Sequence, residues 1–193
     1  MCARIRFLQE LFLNMVVYFG MYGDLGMSKT SKNLKEAFSG ESQANRRYLA
    51  FADKAEKEGL TAVAKLFRAA AFAETVHALN HIGIMGEVNS TIENLETAVS
   101  GETFEFDEMY PEYIQVAKEE NNKKAVWSFN VANKVEKIHA GLFSKALESL
   151  KNEKEVIDTD YYVCKVCGNT VEASAPERCP ICGAPKKQFE KIE

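Results

Sequence analysis

The chain has 193 residues, 46% hydrophobic and 27% charged, the balance of one folded domain or of a domain with a small added module. A formal net charge of −4 gives no basic footprint for nucleic acid, and no apolar run reaches the roughly 18 to 20 residues of a membrane span. Of the five cysteines, Cys2 stands apart and the other four lie between residues 164 and 182.

At the N-terminus, Arg4 and Arg6 precede an apolar run, Leu11-Phe-Leu-Asn-Met-Val-Val-Tyr-Phe19, in the outline of a signal peptide. Glu10 lies early in that run and no Ala-x-Ala cleavage site follows. Met27-Ser-Lys-Thr-Ser-Lys32 reads as a polar start just before a first helix. Residues 1–30 are therefore read as an N-terminal extension, an artefact of an upstream start or a disordered segment; a docking segment and a targeting signal are the alternatives.

Residues 31–150 contain one proline, Pro111, no cysteine and many strong helix formers. Apolar spacing predicts four helices: Ser31 to Glu58, stopped by Gly59; Leu60 to about Glu87; Gly101 to about Glu120; and Lys123 to about Leu150. Short connections near 59 and 121 imply antiparallel neighbours. The Asn-, Ser- and Thr-rich stretch at 88–100 reads as the one long crossover of a ferritin-like four-helix bundle. The bundle is placed at 31–156. A polar join, Lys151-Asn-Glu-Lys-Glu-Val-Ile-Asp158, leads to a loop-rich module at 157–193, too small to fold without a staple.

The two halves of the helical region repeat. Ser39-Gly40-Glu41 is followed by Glu74-Thr-Val-His77, and Ser100-Gly101-Glu102 by Glu136-Lys-Ile-His139. Glu-x-x-His on a helix sets both side chains on one face, one turn apart. Two such motifs with one further Glu from each remaining helix form the di-iron carboxylate pattern. Carboxylates suit a hard ferric ion and can bridge two metals, and imidazole adds a borderline ligand. Ala69-Ala-Ala-Phe-Ala73 before Glu74, and Val131, Val135 and Ile138 around Glu136, argue against merely solvated glutamates. Glu105 and Glu108 compete for a fifth carboxylate. His81 reads as a surface or ligand-supporting histidine. Tyr48 and Tyr110 either hydrogen-bond a ligating carboxylate or fill the core.

Cys164-Lys-Val-Cys167-Gly and Cys179-Pro-Ile-Cys182-Gly are two matched knuckles. Four thiolates fit a tetrahedral iron or zinc site, and spacing does not choose between the metals.

From about residue 31 to the end the chain resembles the rubrerythrin family. Gly40-Glu-Ser-Gln-Ala44, Glu74-x-x-His77, Gly101-Glu102-x-x-Glu105, Glu108-Met-Tyr-Pro111 and Glu136-x-x-His139 are similar to its di-iron domain. Tyr162-x-Cys164-x-x-Cys167-Gly and Cys179-Pro-x-Cys182-Gly-x-Pro-Lys are similar to its rubredoxin-like domain. The resemblance favours Glu105 over Glu108 and iron over zinc in the cysteine site. It implies a di-iron centre held by Glu41, Glu74, His77, Glu102, Glu105, Glu136 and His139, with one iron exchanging Glu105 for His77 on reduction. A rubredoxin-type tetrathiolate iron would be held by Cys164, Cys167, Cys179 and Cys182. The implied activity is a cytoplasmic peroxidase that reduces hydrogen peroxide in oxidative stress defence. Electrons would come from NAD(P)H through a separate reductase and carriers such as rubredoxin, because this chain shows no dinucleotide fingerprint. A ferroxidase or iron-storage protein of the ferritin type is the alternative, and the cysteine module argues against it.

The join of some eight residues spans at most about 28 Å. The fourth helix runs roughly eleven residues past His139, about 16 Å. The module is thus expected to leave its own chain's ligands and serve a partner in a head-to-tail homodimer. A module folded back along its own helix is the competing arrangement.

Overall fold

A computed structural model describes residues 28–193. The readings made at residues 1–27 lie outside the described residues, and Lys29 and Thr30 already belong to the first helix. The chain divides into two compact units, the first ending at Val88 and the second covering Asn89–Glu193.

The first unit is a hairpin of α1 (Lys29–Lys57) and α2 (Thr61–Met85). Ser28 starts α1, its Oγ accepting from the Ser31 N–H at 3.1 Å. Gly59, at φ 76°, makes the turn that the sequence assigns to it. Ala64, Ala71 and Ala78, seven residues apart, are the buried side chains of α2, and Ala52 and Ala55 are buried on α1. Small side chains let the two backbones approach closely. Asn45 is buried as well, and its Nδ2 donates to the Ala71 carbonyl at 2.7 Å and to Thr75 Oγ1 at 2.8 Å.

The second unit begins with α3 (Thr91–Phe104), which continues through a π-helical turn (Glu105–Met109) into α4 (Tyr110–Glu119). This corrects the loop expected at 88–100, most of which is helix. The Ser90 side chain caps the Glu93 N–H while Glu93 reaches back to the Ser90 N–H, a capping box that outweighs the polar composition. The connection between α2 and α3 is only 86–90, with Gly86 at φ 69° ending α2. Asn121, at φ 56°, turns the chain, and Asn122 caps α5 (Lys123–Lys151).

The module is a three-stranded antiparallel sheet of order β2-β1-β3: β1 (Tyr161–Cys164), β2 (Thr170–Glu172) and β3 (Phe189–Ile192). Val163 pairs with Thr170 on one side and Glu190 on the other. The module does not leave its own helix, as the length of the join suggested. It folds back on α5: Lys145 Nζ bonds Glu172 at 2.8 Å, and a Cβ built on Gly168 would lie 3.7 Å from Val135. The eight-residue join is long enough to reverse the chain, and β2 finds its packing surface there.

Candidate metal centres

In the first unit, Glu41 of α1 and Glu74 and His77 of α2 bring ligand atoms within 4.8 Å of one another. His77 Nδ1 lies 2.9 Å from Glu74 Oε2, as i,i+3 spacing on one helix face requires. Asn45, one turn beyond Glu41, ties α1 to α2 beside Glu74. Its role was not apparent in the sequence, because nothing local distinguishes it from a surface asparagine. His81 and Tyr48 are not drawn into the cluster. Tyr48 packs with Phe51 and Phe67, ring centroids 6.3 and 6.1 Å away, which settles it as part of an aromatic group.

In the second unit the same device recurs. Glu102 of α3 joins Glu136 and His139 of α5, again within 4.8 Å. His139 Nδ1 lies 2.8 Å from Glu136 Oε2 and 3.9 Å from Glu102 Oε1. Burial, then the Glu136 charge, pushes the Glu102 carboxyl up to about 7, against the opposing pull of His139. Glu105 is pushed up as well, by burial and the Glu136 charge, so it feels the cluster although it stands outside the closest group. Glu108 is exposed and outside it.

The π turn matters here. From Glu102 to Tyr110 is eight residues, about 80° off the ligand face of a regular helix at 100° per residue. The extra residue of a π turn takes out about one such step and brings Tyr110 back toward that face. The Tyr110 phenol is pushed above its ordinary range by burial and by the charges of Glu105, Glu136 and Glu102.

Thr170, which the sequence reading did not single out, completes the surroundings of His139. Its hydroxyl donates to the Gly168 carbonyl at 3.1 Å and lies 2.9 Å from His139 Nε2. With its proton used on Gly168, the hydroxyl accepts from Nε2–H. An Nε2–H tautomer turns the Nδ1 lone pair toward the carboxylate oxygens of Glu136 and Glu102. Where Nδ1 carries no proton, it and the carboxylate oxygen at 2.8 Å are two facing donors of lone pairs that a cation would join. The donor set thus fits a carboxylate- and imidazole-bound metal.

The four knuckle cysteines are free thiols gathered in one group. Sulfur separations of 3.6 Å (Cys167–Cys179) and 3.8 Å (Cys164–Cys182) are far beyond a disulfide bond. They match the edge, about 3.8 Å, of a tetrahedron with metal–sulfur bonds near 2.3 Å. Gly168 and Gly183, at φ 81° and 77°, follow the second cysteine of each knuckle. The Cys179 thiol, raised by burial, is brought down to about 7 by N–H donors of Cys182 and Ile181 and by neighbouring sulfurs. Burial pushes Cys167 and Cys182 up. Four thiols in one pocket cannot all ionise without a metal to share their charge.

A family profile described as Rubrerythrin matches residues 32–147, and one described as Rubrerythrin, rubredoxin-like domain, matches residues 162–190. Rubrerythrin-2 of Clostridium acetobutylicum is 36% identical over 175 residues, covering 83% of this chain and 95% of that protein. Nigerythrin of Nitratidesulfovibrio vulgaris is 34% identical over 188 residues, covering 89% of this chain and 91% of that one. A solved structure described as the partially reduced state of nigerythrin aligns with TM-score 0.51 at 32% identity, covering 86% of this chain and 88% of that chain. Among the described residues no helix is long and apolar enough to cross a membrane. With a ferritin-like helical domain followed by a cysteine module, and with both profiles matching in that order, the chain belongs to the rubrerythrin family, whose domains carry a di-iron centre and a rubredoxin-type iron held by four cysteines.

Proposed function

We propose that the protein is a peroxidase of oxidative stress defence, reducing hydrogen peroxide to two waters with two electrons and two protons. Glu41, Glu74, His77, Glu102, Glu105, Glu136 and His139 would hold the di-iron centre, and Cys164, Cys167, Cys179 and Cys182 the electron-entry iron. The observation that carries this reading is the hydrogen bond from His139 to Thr170, two residues beyond the first knuckle's glycine. It joins a candidate metal ligand to the cysteine module, and an iron-storage bundle has no use for such a link. A ferrous pair supplies the two electrons, one from each iron.

The chain's own residues do the rest. Glu74 and Glu136 each stand beside their histidine, where a carboxylate can bridge two ions. Thr170 holds His139 Nε2–H, leaving Nδ1 for the metal. The raised Tyr110 phenol keeps its proton, so it serves as an O–H donor at the carboxylate cluster. His77, about half exposed, and Glu105 would be the two residues that exchange at one iron. NAD(P)H would act through a separate reductase and carriers such as rubredoxin. Four cysteines kept as a metal site suit a reducing compartment, the cytoplasm.

The test is a reduced, iron-loaded protein whose thiolate-to-iron absorption is followed on adding peroxide. Two electrons should be lost per peroxide. In Cys182→Ser, carrier-driven turnover should disappear, while a chemically reduced bundle still consumes one equivalent. Unchanged steady-state turnover in that variant overturns the electron route, and a reduced protein inert to peroxide overturns the activity.

A further inference from the structure

We propose that the Asn169 side-chain amide sets the reduction potential of the tetrathiolate iron, its Nδ2 donating to the Cys164 sulfur and doing so more strongly in the ferrous state. This rests on the cysteine-bound iron and on nothing about peroxide.

Asn169 is 1% exposed, and neither its Oδ1 nor its Nδ2 has a hydrogen-bond partner. Among the described residues no other buried side-chain nitrogen or oxygen is left so. The other buried asparagine, Asn45, has its Nδ2 satisfied twice. An unpaired buried amide is costly, so its presence calls for a physical reason. The backbone says where the amide lies. In the β1–β2 ladder Tyr162 pairs with Val171 and Val163 with Thr170, and the next step sets Asn169 opposite Cys164. The Cys164 N–H donates to the Asn169 carbonyl at 2.9 Å, so the ladder holds at that step. Opposite residues project to one face with Cβ atoms about 4.5–5.5 Å apart, and successive residues alternate between faces. Thr170 therefore turns toward α5 and His139, while Asn169 shares the other face with Cys164, itself 1% exposed. The Asn169 N–H also donates to the Cys167 sulfur. One residue thus binds both cysteines of the first knuckle through its main chain and sets its amide across from one of them.

The chemistry of the site supplies the missing partner. A neutral thiol is a weak acceptor, whereas a thiolate on a metal carries charge and accepts strongly. Four thiolates leave a ferric ion with a single net negative charge and a ferrous ion with twice that. When one electron enters from a carrier, ferric iron becomes ferrous, no bond forms or breaks, and the added charge spreads over the sulfurs. Cys164 is closed to water, so only protein dipoles can answer that charge there. The last torsion of an asparagine is broad, which lets the amide turn its N–H toward sulfur at little cost. A donor that binds the ferrous site more strongly than the ferric site raises the potential, as hydrogen bonds to sulfur do in iron–sulfur centres.

The experiment is a spectroelectrochemical titration of the iron-loaded full chain, wild type against Asn169→Leu, which keeps the backbone bonds and removes the amide. The equilibrium for reducing the tetrathiolate iron should fall about three- to tenfold in the variant, or roughly 30 to 60 mV for one electron. The thiolate-to-iron absorption should move to longer wavelength, because sulfur lone pairs without a donor lie higher in energy. The zinc-loaded variant should unfold in denaturant at or above the wild-type midpoint, since a buried unpaired group has been removed. An unchanged or raised potential overturns the proposal, and a lowered midpoint beside it marks the amide as purely structural. A second arm uses the wild type alone, so it decides even where Asn169→Leu binds no iron. With an NMR-active cadmium isotope in the cysteine site, the Asn169 side-chain amide protons should couple to the metal through sulfur. Amide protons that show no such coupling, while backbone N–H groups bonded to the sulfurs do, overturn the hydrogen bond. A protein inert to peroxide that shows these shifts overturns the peroxidase reading and leaves this inference standing.

Discussion

Thr170→Val is the sharpest single perturbation of the link between the two metal sites. Valine keeps the β-branched shape that suits β2 and removes only the hydroxyl. Two hydrogen bonds go with it, at 2.9 Å to His139 Nε2 and 3.1 Å to the Gly168 carbonyl. Each is worth about 0.5–1.5 kcal/mol net, and the half-buried position lets water recover part, so metal-free stability should fall by about 1–2 kcal/mol. The larger effect falls on the metal. Loss of the group that orients a ligating histidine costs about 10- to 100-fold in affinity. Chelator competition on the iron-loaded protein reads this directly, with the thiolate-to-iron absorption of the cysteine site as an internal control that should not change. Single-turnover transfer of electrons from the tetrathiolate iron to the bundle should also slow, and Thr170→Ser should recover both properties. Wild-type chelator resistance together with wild-type transfer in Thr170→Val would refute the argument.

Further outcomes follow from other parts of the structure. Glu136→Ala should lose the bundle iron and keep the cysteine iron, read as iron per chain before and after the substitution. Asn45→Ala removes two hydrogen bonds from a buried seam and should lower stability by about 1–3 kcal/mol in chemical denaturation, without touching the spectrum of the cysteine iron. The Glu102 carboxyl sits at about 7 in the folded metal-free protein, above its unfolded value of 4.5. The folded state therefore holds an extra proton between those values. Its stabilising contribution is complete below the unfolded value and is lost as pH rises through about 7, so metal-free protein should gain stability on going from pH 8 to pH 5 at this site. Metal must displace that proton, so its apparent affinity should rise by up to about tenfold per pH unit below 7 and level off above, as measured by titration calorimetry.

The candidate ligand clusters were legible in the sequence because helical chemistry is local. Glu-x-x-His needs only one helix turn to set both side chains together, and two glycine-tipped knuckles need only their own backbone to gather sulfurs. The same locality explains what was misread. Ser90 and Glu93 cap a helix through hydrogen bonds that composition conceals, and the expected crossover shrank to residues 86–90. What the sequence by itself determined, then, is which candidate ligands share a helix face or a knuckle, and the order of the helical domain and the cysteine module. Only the tertiary structure decided that β2 lies on α5, that Thr170 reaches His139, and that Asn45 ties the hairpin together beside Glu74. Those contacts join residues 26 to 31 positions apart, where no periodicity acts and packing alone selects the partner.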